Sequence, residues 1–238
     1  MTVFALARHN ARITLREPGP ALSRIISPVV LMTLLQPLYR AALPGQDGAA
    51  RATLLALIMF STLSLSVVGN ALLAERIWHT LDRLRATPLR SAALVAGKCA
   101  TPLGILLLQQ VVVLGTAIVA FGVRPASPAL LVLIGVAWSA TVLCLGAALA
   151  SVLRTPSAVS AATDLASLVS TAFSGALLPL TAMPGWVRAV APVSPGYWAV
   201  RGFDGALQGS TVTTLTSVAV LGALALVAAV FAGRRLMR

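Results

Sequence analysis

Six apolar runs, each longer than twenty residues, divide this 238-residue chain, and most of its basic residues lie between them. A helix crosses the hydrocarbon core of a bilayer with about 20 mostly apolar residues. Charged residues make up 10% of the chain, whereas soluble domains carry about 25%. The sequence therefore predicts one all-α, polytopic membrane domain over 1–238. Its predicted spans are 22–43, 52–74, 94–121, 129–153, 156–180 and 212–232.

The distribution of arginine and lysine predicts the orientation of these spans. Cytoplasmic loops carry the excess of both residues, and 13 of the 18 fall on one side of the predicted alternation. That side includes both termini, so we expect both to be cytoplasmic. Abundant alanine and arginine, with Lys98 as the only lysine, indicate a GC-rich bacterial genome and hence a multi-pass protein of the bacterial plasma membrane.

Two segments outside the spans are predicted to be short helices at the membrane surface. Before the first span, Arg8, Arg12 and Arg16 share one helical row, which predicts an interfacial helix over 1–20 or, alternatively, a frayed basic tail. Between the fifth and sixth spans, 181–208 is expected to form short extracellular helices that either cap an exit or only anchor aromatic residues at the interface.

The segment 75–86 separates the second span from the third and is too short and too charged to cross. As a helix it places Ile77, Trp78, Leu81 and Leu84 on one face and charged residues on the others. Its position predicts a short cytoplasmic helix between two spans. Such a helix either anchors the loop on lipid or binds a partner, whose force would pass directly to both spans.

Two stretches of the sequence resemble the type-2 ABC exporter permeases. ERIWHTLDRLRATP, followed by Gly97 and Lys98, is similar to that family's loop between the second and third spans, with His79 in place of a glycine. SGALLPLTAMPGW, followed by Pro195, is similar to the family's segment between the fifth and sixth spans, with Ser194 where asparagine is common. The resemblance is strongest to the daunorubicin-resistance type of drug exporter.

The resemblance implies that 75–86 is the coupling helix on which a separate ABC ATPase subunit docks. It also implies two permease halves per transporter, so we expect a homodimer. No Walker motif accompanies Gly97 and Lys98, so the chain itself is predicted to be no enzyme and to bind neither cofactor nor metal, with ATP and Mg²⁺ bound by the ATPase. The docking residues predicted in this way are Glu75, Arg76, Trp78, Leu81, Asp82, Arg83, Leu84 and Arg85.

Small polar residues recur in two of the predicted spans at helical spacing. In the fifth span they follow steps of three and four, and in the second span steps of four. Such a row is typical of a packing seam between helices, and also of a route between two copies that opens and closes. The residues predicted for this path or dimer seam are Thr62, Ser66, Asn70, Ser160, Asp164, Ser167, Thr171 and Ser174.

Asp164 is the sharpest of these candidates because an ionisable group within a span is costly to bury in lipid. Two interpretations are open: Asp164 either contacts the substrate or has a structural role as a protonated or water-paired residue. The resemblance implies that the chain is the permease subunit of an ATP-driven exporter, and we expect it to move an amphiphilic drug, antibiotic or lipid-like molecule, with membrane lipids and no nucleic acid as further partners. The alternative is a proton-coupled secondary transporter or flippase that uses Asp164. An intramembrane hydrolase is disfavoured because His9 and His79 both lie in predicted cytoplasmic segments.

Overall fold

The structure is a computed structural model that describes residues 16, 19–43, 46–77 and 91–236. These residues form α-helices joined by short turns, and no β-strand occurs among them. The helices are α1 (Gly19–Ala42), α2 (Gln46–Leu63), α3 (Leu65–Ile77), α4 (Ser91–Phe121), α5 (Pro128–Val152), α6 (Pro156–Phe173), α7 (Gly185–Val190), α8 (Pro195–Gln208) and α9 (Thr211–Leu236).

Five segments of the described chain are long and apolar enough to cross a membrane, which confirms the prediction of an all-helical, multi-pass fold. Helices α2 and α3 together supply one of them, since only Ser64 separates the two. Helix α6, predicted as part of the fifth span, is not among the five because seven of its 18 residues are Ser, Thr or Asp. The predicted count of six spans is therefore not confirmed. The five segments are Ala21–Ala42, Asp47–Ala74, Ala100–Phe121, Pro128–Val152 and Thr211–Arg235.

Helices α5 and α6 begin with the same local signal. Each has proline at its first position, where the missing N–H would have no partner within the helix. The preceding residue caps the helix: the Ser127 hydroxyl accepts from the Leu130 N–H at 3.4 Å, and the Thr155 hydroxyl accepts from the Ala158 N–H at 3.3 Å. These caps define the turns that precede both helices.

The second span lies at the centre of the bundle, with α1, α4, α5 and α6 packed around it. Trp138 of α5 is fully buried there, and its indole Nε1 donates to the Ser61 hydroxyl of α2 at 2.7 Å. Where α3 meets α6, a Cβ on Gly69 would lie 2.7 Å from Cγ1 of Val159. The absence of a side chain at Gly69 therefore allows the close approach of these two helices.

Helix α8 packs against α5, α6 and α9 and closes one end of the bundle. Its buried face includes Ala199, Val200, Phe203 and Ala206. At this end the backbone N–H of Ala126 donates to the carbonyl of Leu207 at 3.0 Å. We call this end, formed by 39–43, 46–51, 121–127, 174–179 and 204–210, the capped end. The opposite end, formed by 152–156 with the start of α1 and the end of α9, is the open end.

Candidate transport site

The second span is broken at Ser64, between α2 and α3. Around the break the backbone N–H of Ser64 bonds to the carbonyl of Ser61 at 3.0 Å, which is a spacing of three residues rather than four. The hydroxyls of Ser61 and Thr62 both donate to the carbonyl of Ile58, at 3.1 and 2.7 Å. Hydroxyls that bond back to their own helix are a recognised cause of bending. The polar residues at this point therefore shape the helix, and the hydroxyl of Thr62 is already in use.

Ser66 and Asn70, which follow the break, differ in whether their side-chain polar atoms have hydrogen-bond partners. Ser66 donates to the carbonyl of Leu63 at 2.9 Å. Asn70, one turn further on, has a buried Oδ1 with no hydrogen-bond partner in the described part of the chain. Among the path residues predicted in the second span, Asn70 is thus the one with an unused acceptor.

The polar row of α6 is divided between the interior and the surface of the bundle. Ser167, Thr171 and Ser174 are buried, and the Ser167 hydroxyl donates to the carbonyl of Met59 in α2 at 3.0 Å. Ser174 donates to the carbonyl of Thr171 at 2.7 Å, so it closes the end of α6. Ser160 is half-buried. The structure therefore packs the last part of the row against α2 of the same chain.

Asp164 lies on the exposed side of α6. Its neighbours Leu165 and Leu168 are 62% and 68% exposed, and within the described residues the carboxylate forms no ion pair and no hydrogen bond. A charge that faces hydrocarbon is costly, so intramembrane acids usually face a partner or water. In the described chain Asp164 is therefore an exposed acid without a partner, on a helix that is not among the five candidate spans.

Two buried glutamines were not singled out from the sequence. Gln36 of α1 and Gln109 of α4 are 5% and 0% exposed, and neither amide oxygen nor amide nitrogen of either side chain has a partner in the described chain. Buried polar groups are nearly always hydrogen-bonded, so each unpaired one calls for an explanation. An amide inside an otherwise apolar run was the available signal. Gln110, the next residue, donates to the Ser139 hydroxyl at 2.8 Å.

An ion pair fastens the capped end. Arg51 of α2 donates through Nη2 to Oδ2 of Asp204 in α8 at 3.0 Å, and through Nη1 to the carbonyl of Gly175 at 3.0 Å. Gly175 follows α6 with φ of 80°, a left-handed conformation that glycine adopts without strain. Next to it, the Tyr39 hydroxyl donates to the carbonyl of Leu177 at 2.9 Å. We call Arg51, Asp204 and Gly175 the latch, because together they join α2, α8 and the end of α6.

The electrostatics of the latch are set mainly by burial. Burial raises the pKa of Asp204 above its ordinary value, the Arg51 guanidinium lowers this pKa in part, and nearby Asp47 raises it further. Sequence reasoning counted Arg51 only toward the orientation of the spans and did not single out Asp204. The available signal was a lone acid among the apolar and glycine residues of 202–206.

The predicted docking residues can be followed only in part. Glu75 and Arg76 belong to α3, which continues from the second span through Ile77 without a break after Ser64. The remaining docking residues, Trp78, Leu81, Asp82, Arg83, Leu84 and Arg85, lie outside the described residues. Within the described residues no cluster of His, Cys, Asp and Glu has the composition of a metal site.

Comparison with known families supplies the identity that this geometry leaves open. The profile of the family described as ABC-2 type transporter matches residues 1–207. No curated protein matches the chain at a significant level. Because the family match covers most of the chain, the chain belongs to the ABC-2 type transporter family and is a multi-pass membrane component of an ABC transporter, the kind of subunit that works with an ABC ATPase.

Proposed function

We propose that the chain is the permease subunit of an ABC exporter, of the daunorubicin-resistance type, for an amphiphilic drug, antibiotic or lipid-like molecule. Two copies form the membrane part, α6 crosses the membrane as a further span, and both termini are cytoplasmic. A separate ATPase subunit, which binds ATP and Mg²⁺, docks on 75–86 of each copy. The length of α6 supports its crossing, because 18 residues extend about 27 Å and the hydrocarbon core is about 30 Å thick.

The exposed side of α6 is the observation that carries the proposed path. Asp164 lies there beside the exposed Leu165 and Leu168 and has no partner in the described chain. A second copy that packs on this side removes the carboxylate from lipid and places two Asp164 side chains at one seam. The like charges disfavour tight, dry closure of that seam, which suits a route that fills with water or with a cationic amphiphile.

The break at Ser64 supports the proposed transmission of force. Because α3 continues from the break through Ile77, movement of 75–86 reaches Ser64 along one helix. Gly69 brings α3 close to Val159 of α6. Closure of the ATPase pair therefore pulls on α3 and shifts α6, and with it the seam that contains Asp164.

The experiment that tests this function measures binding of the ATPase and transport in the same membranes. The permease is co-expressed with its candidate ABC ATPase, and ATP-driven uptake of daunorubicin is followed by fluorescence in inside-out vesicles. We expect the double substitution Leu81→Glu, Leu84→Glu to remove both co-purification and uptake, since it places two charges on the apolar docking face. Arg154→Glu is the matched control, because it changes the charge of a different turn at the open end. Full uptake by the double variant would refute the docking assignment.

Proton-coupled transport is the second candidate, and the unpartnered carboxylate of Asp164 favours it. The same vesicles separate the two. An ATP-driven exporter loses uptake with vanadate and keeps it with an uncoupler. A proton-coupled carrier shows the reverse, and Asp164→Asn abolishes its uptake whether or not the ATPase is present.

A further inference from the structure

A groove of about 750 Å³ lies on the outside of α9 near its C-terminal end, beside Ser151 of α5. It is open to the surroundings of the bundle, since Leu226 and Val227 on its wall are about two-thirds exposed. It lies at the open end and on a helix beyond residues 1–207, the part of the chain that the family profile matches. Its lining residues are Ser151, Leu226, Val227, Val230, Phe231, Arg234 and Arg235.

The groove follows two neighbouring rows of α9, and each row changes from apolar to basic in the same direction. One row is Leu226, Val230 and Arg234, and the other is Val227, Phe231 and Arg235, each at steps of four residues. Residues at this spacing lie on one side of a helix. The wall is therefore apolar from Leu226 to Phe231 and ends in two consecutive arginines.

The two arginines are not neutralised within the described residues. The one ion pair there, Arg51 with Asp204, lies at the capped end of the bundle. The Arg235 guanidinium lies 5.6 Å from the centre of the Phe231 ring, which holds it against the apolar wall. Guanidinium groups bind phosphate oxygens through paired N–H donors, so the end of the groove is suited to a phosphate.

We propose that this groove binds an anionic phospholipid of the adjacent leaflet, with its phosphate at Arg234 and Arg235 and an acyl chain along Val227 and Val230. The apolar rows would be of no use to a soluble anion, and the paired cations favour a lipid with net negative charge over a zwitterionic one. A second copy of the chain is a poor occupant, because it would bring two more exposed arginines to the same place. The proposal does not depend on the proposed export function or on which leaflet this end occupies.

The test measures lipid bound to the purified full-length chain by native mass spectrometry in detergent. Phosphatidylglycerol and phosphatidylcholine of the same chain length are titrated separately. We expect preferential retention of phosphatidylglycerol, and about 25-fold weaker retention in the Arg234→Gln, Arg235→Gln double variant, because each arginine near an anionic surface contributes roughly fivefold. Arg154→Gln, which removes an exposed arginine at the same end, is expected to retain the lipid as the wild type does.

A second pair of variants probes the apolar wall without changing charge. Val230→Trp fills the groove, and Val212→Trp places the same side chain on an exposed position at the other end of α9. We expect the first to lose phosphatidylglycerol and the second to retain it. Three results would overturn the proposal. These are equal binding of the two lipids, a loss of lipid in Arg154→Gln as large as that in the double arginine variant, and normal lipid binding by Val230→Trp. A doubled protein mass that disappears in Val230→Trp would also overturn it, by identifying the groove as a contact between copies. If the double arginine variant does not fold, as judged by its helical circular dichroism, the comparison of Val230→Trp with Val212→Trp tests the proposal instead.

Discussion

The two ends of the bundle differ in whether their arginines bond to other groups of the chain. At the capped end Arg51 is paired with Asp204 and bonded to the carbonyl of Gly175, and Arg40 donates to the carbonyl of Phe121 at 3.0 Å. At the open end, Arg154 and Arg234 are exposed and have no ion pair within the described residues. At the capped end, Arg51 and Arg40 therefore bond to groups of the same chain. At the open end, Arg154 and Arg234 point outward, where lipid headgroups or another protein can meet them.

This difference explains where external partners are expected. Breaking a contact at the capped end removes an interaction within the chain and should reduce its stability. Changing an arginine at the open end removes no described ion pair and should leave stability nearly unchanged while it alters binding. Substitutions at the capped end are thus expected to change the free energy of unfolding, and substitutions at the open end are expected to change ligand binding.

Asp204→Ala is expected to have the largest effect on stability. It leaves the partly buried guanidinium of Arg51 without its carboxylate, and a buried polar group that loses its partner costs about 1–3 kcal/mol. Unfolding of the chain in mixed detergent micelles measures this. Arg51→Ala and the double variant complete a mutant cycle, and additive losses would show that the ion pair contributes nothing of its own.

Acidification should change the stability contributed by Asp204 less than its substitution by alanine does, and in the stabilising direction. Because the pKa of Asp204 is raised in the folded chain, the folded chain binds this proton more tightly than the unfolded chain does. The stabilisation that results is fully present below the ordinary pKa and is lost as the pH rises through the raised value. We expect the stability of the wild type relative to Asp204→Asn to fall between acidic and neutral pH. A constant difference between the two proteins over this range would contradict the assignment.

Arg154→Gln should have the smallest effect, because this exposed arginine has no ion pair within the described residues. Surface substitutions of this kind change stability by less than about 0.5 kcal/mol. The same micelle unfolding experiment applies, with Asp204→Ala as the matched change at the capped end. A loss as large as that of Asp204→Ala would remove the contrast between the two ends.

Apolar length predicted most of the helices because it is a local property. The short helices expected within 181–208 appear as α7 and α8. The caps at Ser127 and Thr155, each followed by proline, were not predicted, although this local signal is present in the sequence. The polar row of α6 was also visible, although its spacing gave no information on which residues face α2. Ser167 and Asp164 belong to one row, yet only Ser167 reaches the carbonyl of Met59.

The latch was beyond the reach of sequence patterns because its three residues are distant along the chain. Arg51 and Asp204 are separated by more than half of its length and meet only through the packing of α2 and α8. The break at Ser64 was missed for a different reason. Serine and threonine occur in straight helices too, and the bend depends on which carbonyls their hydroxyls reach.

The break at Ser64 has a mechanical consequence. The 13 residues of α3 after Ser64, Leu65–Ile77, extend about 20 Å as one helix. A change of direction of about ten degrees at Ser64 therefore swings the end of α3 by about 3.5 Å, roughly the thickness of one layer of atoms. Conversely, a displacement of that size at the end of α3 needs only a slight rotation at Ser64, where the hydroxyls of Ser61 and Thr62 bond to the carbonyl of Ile58.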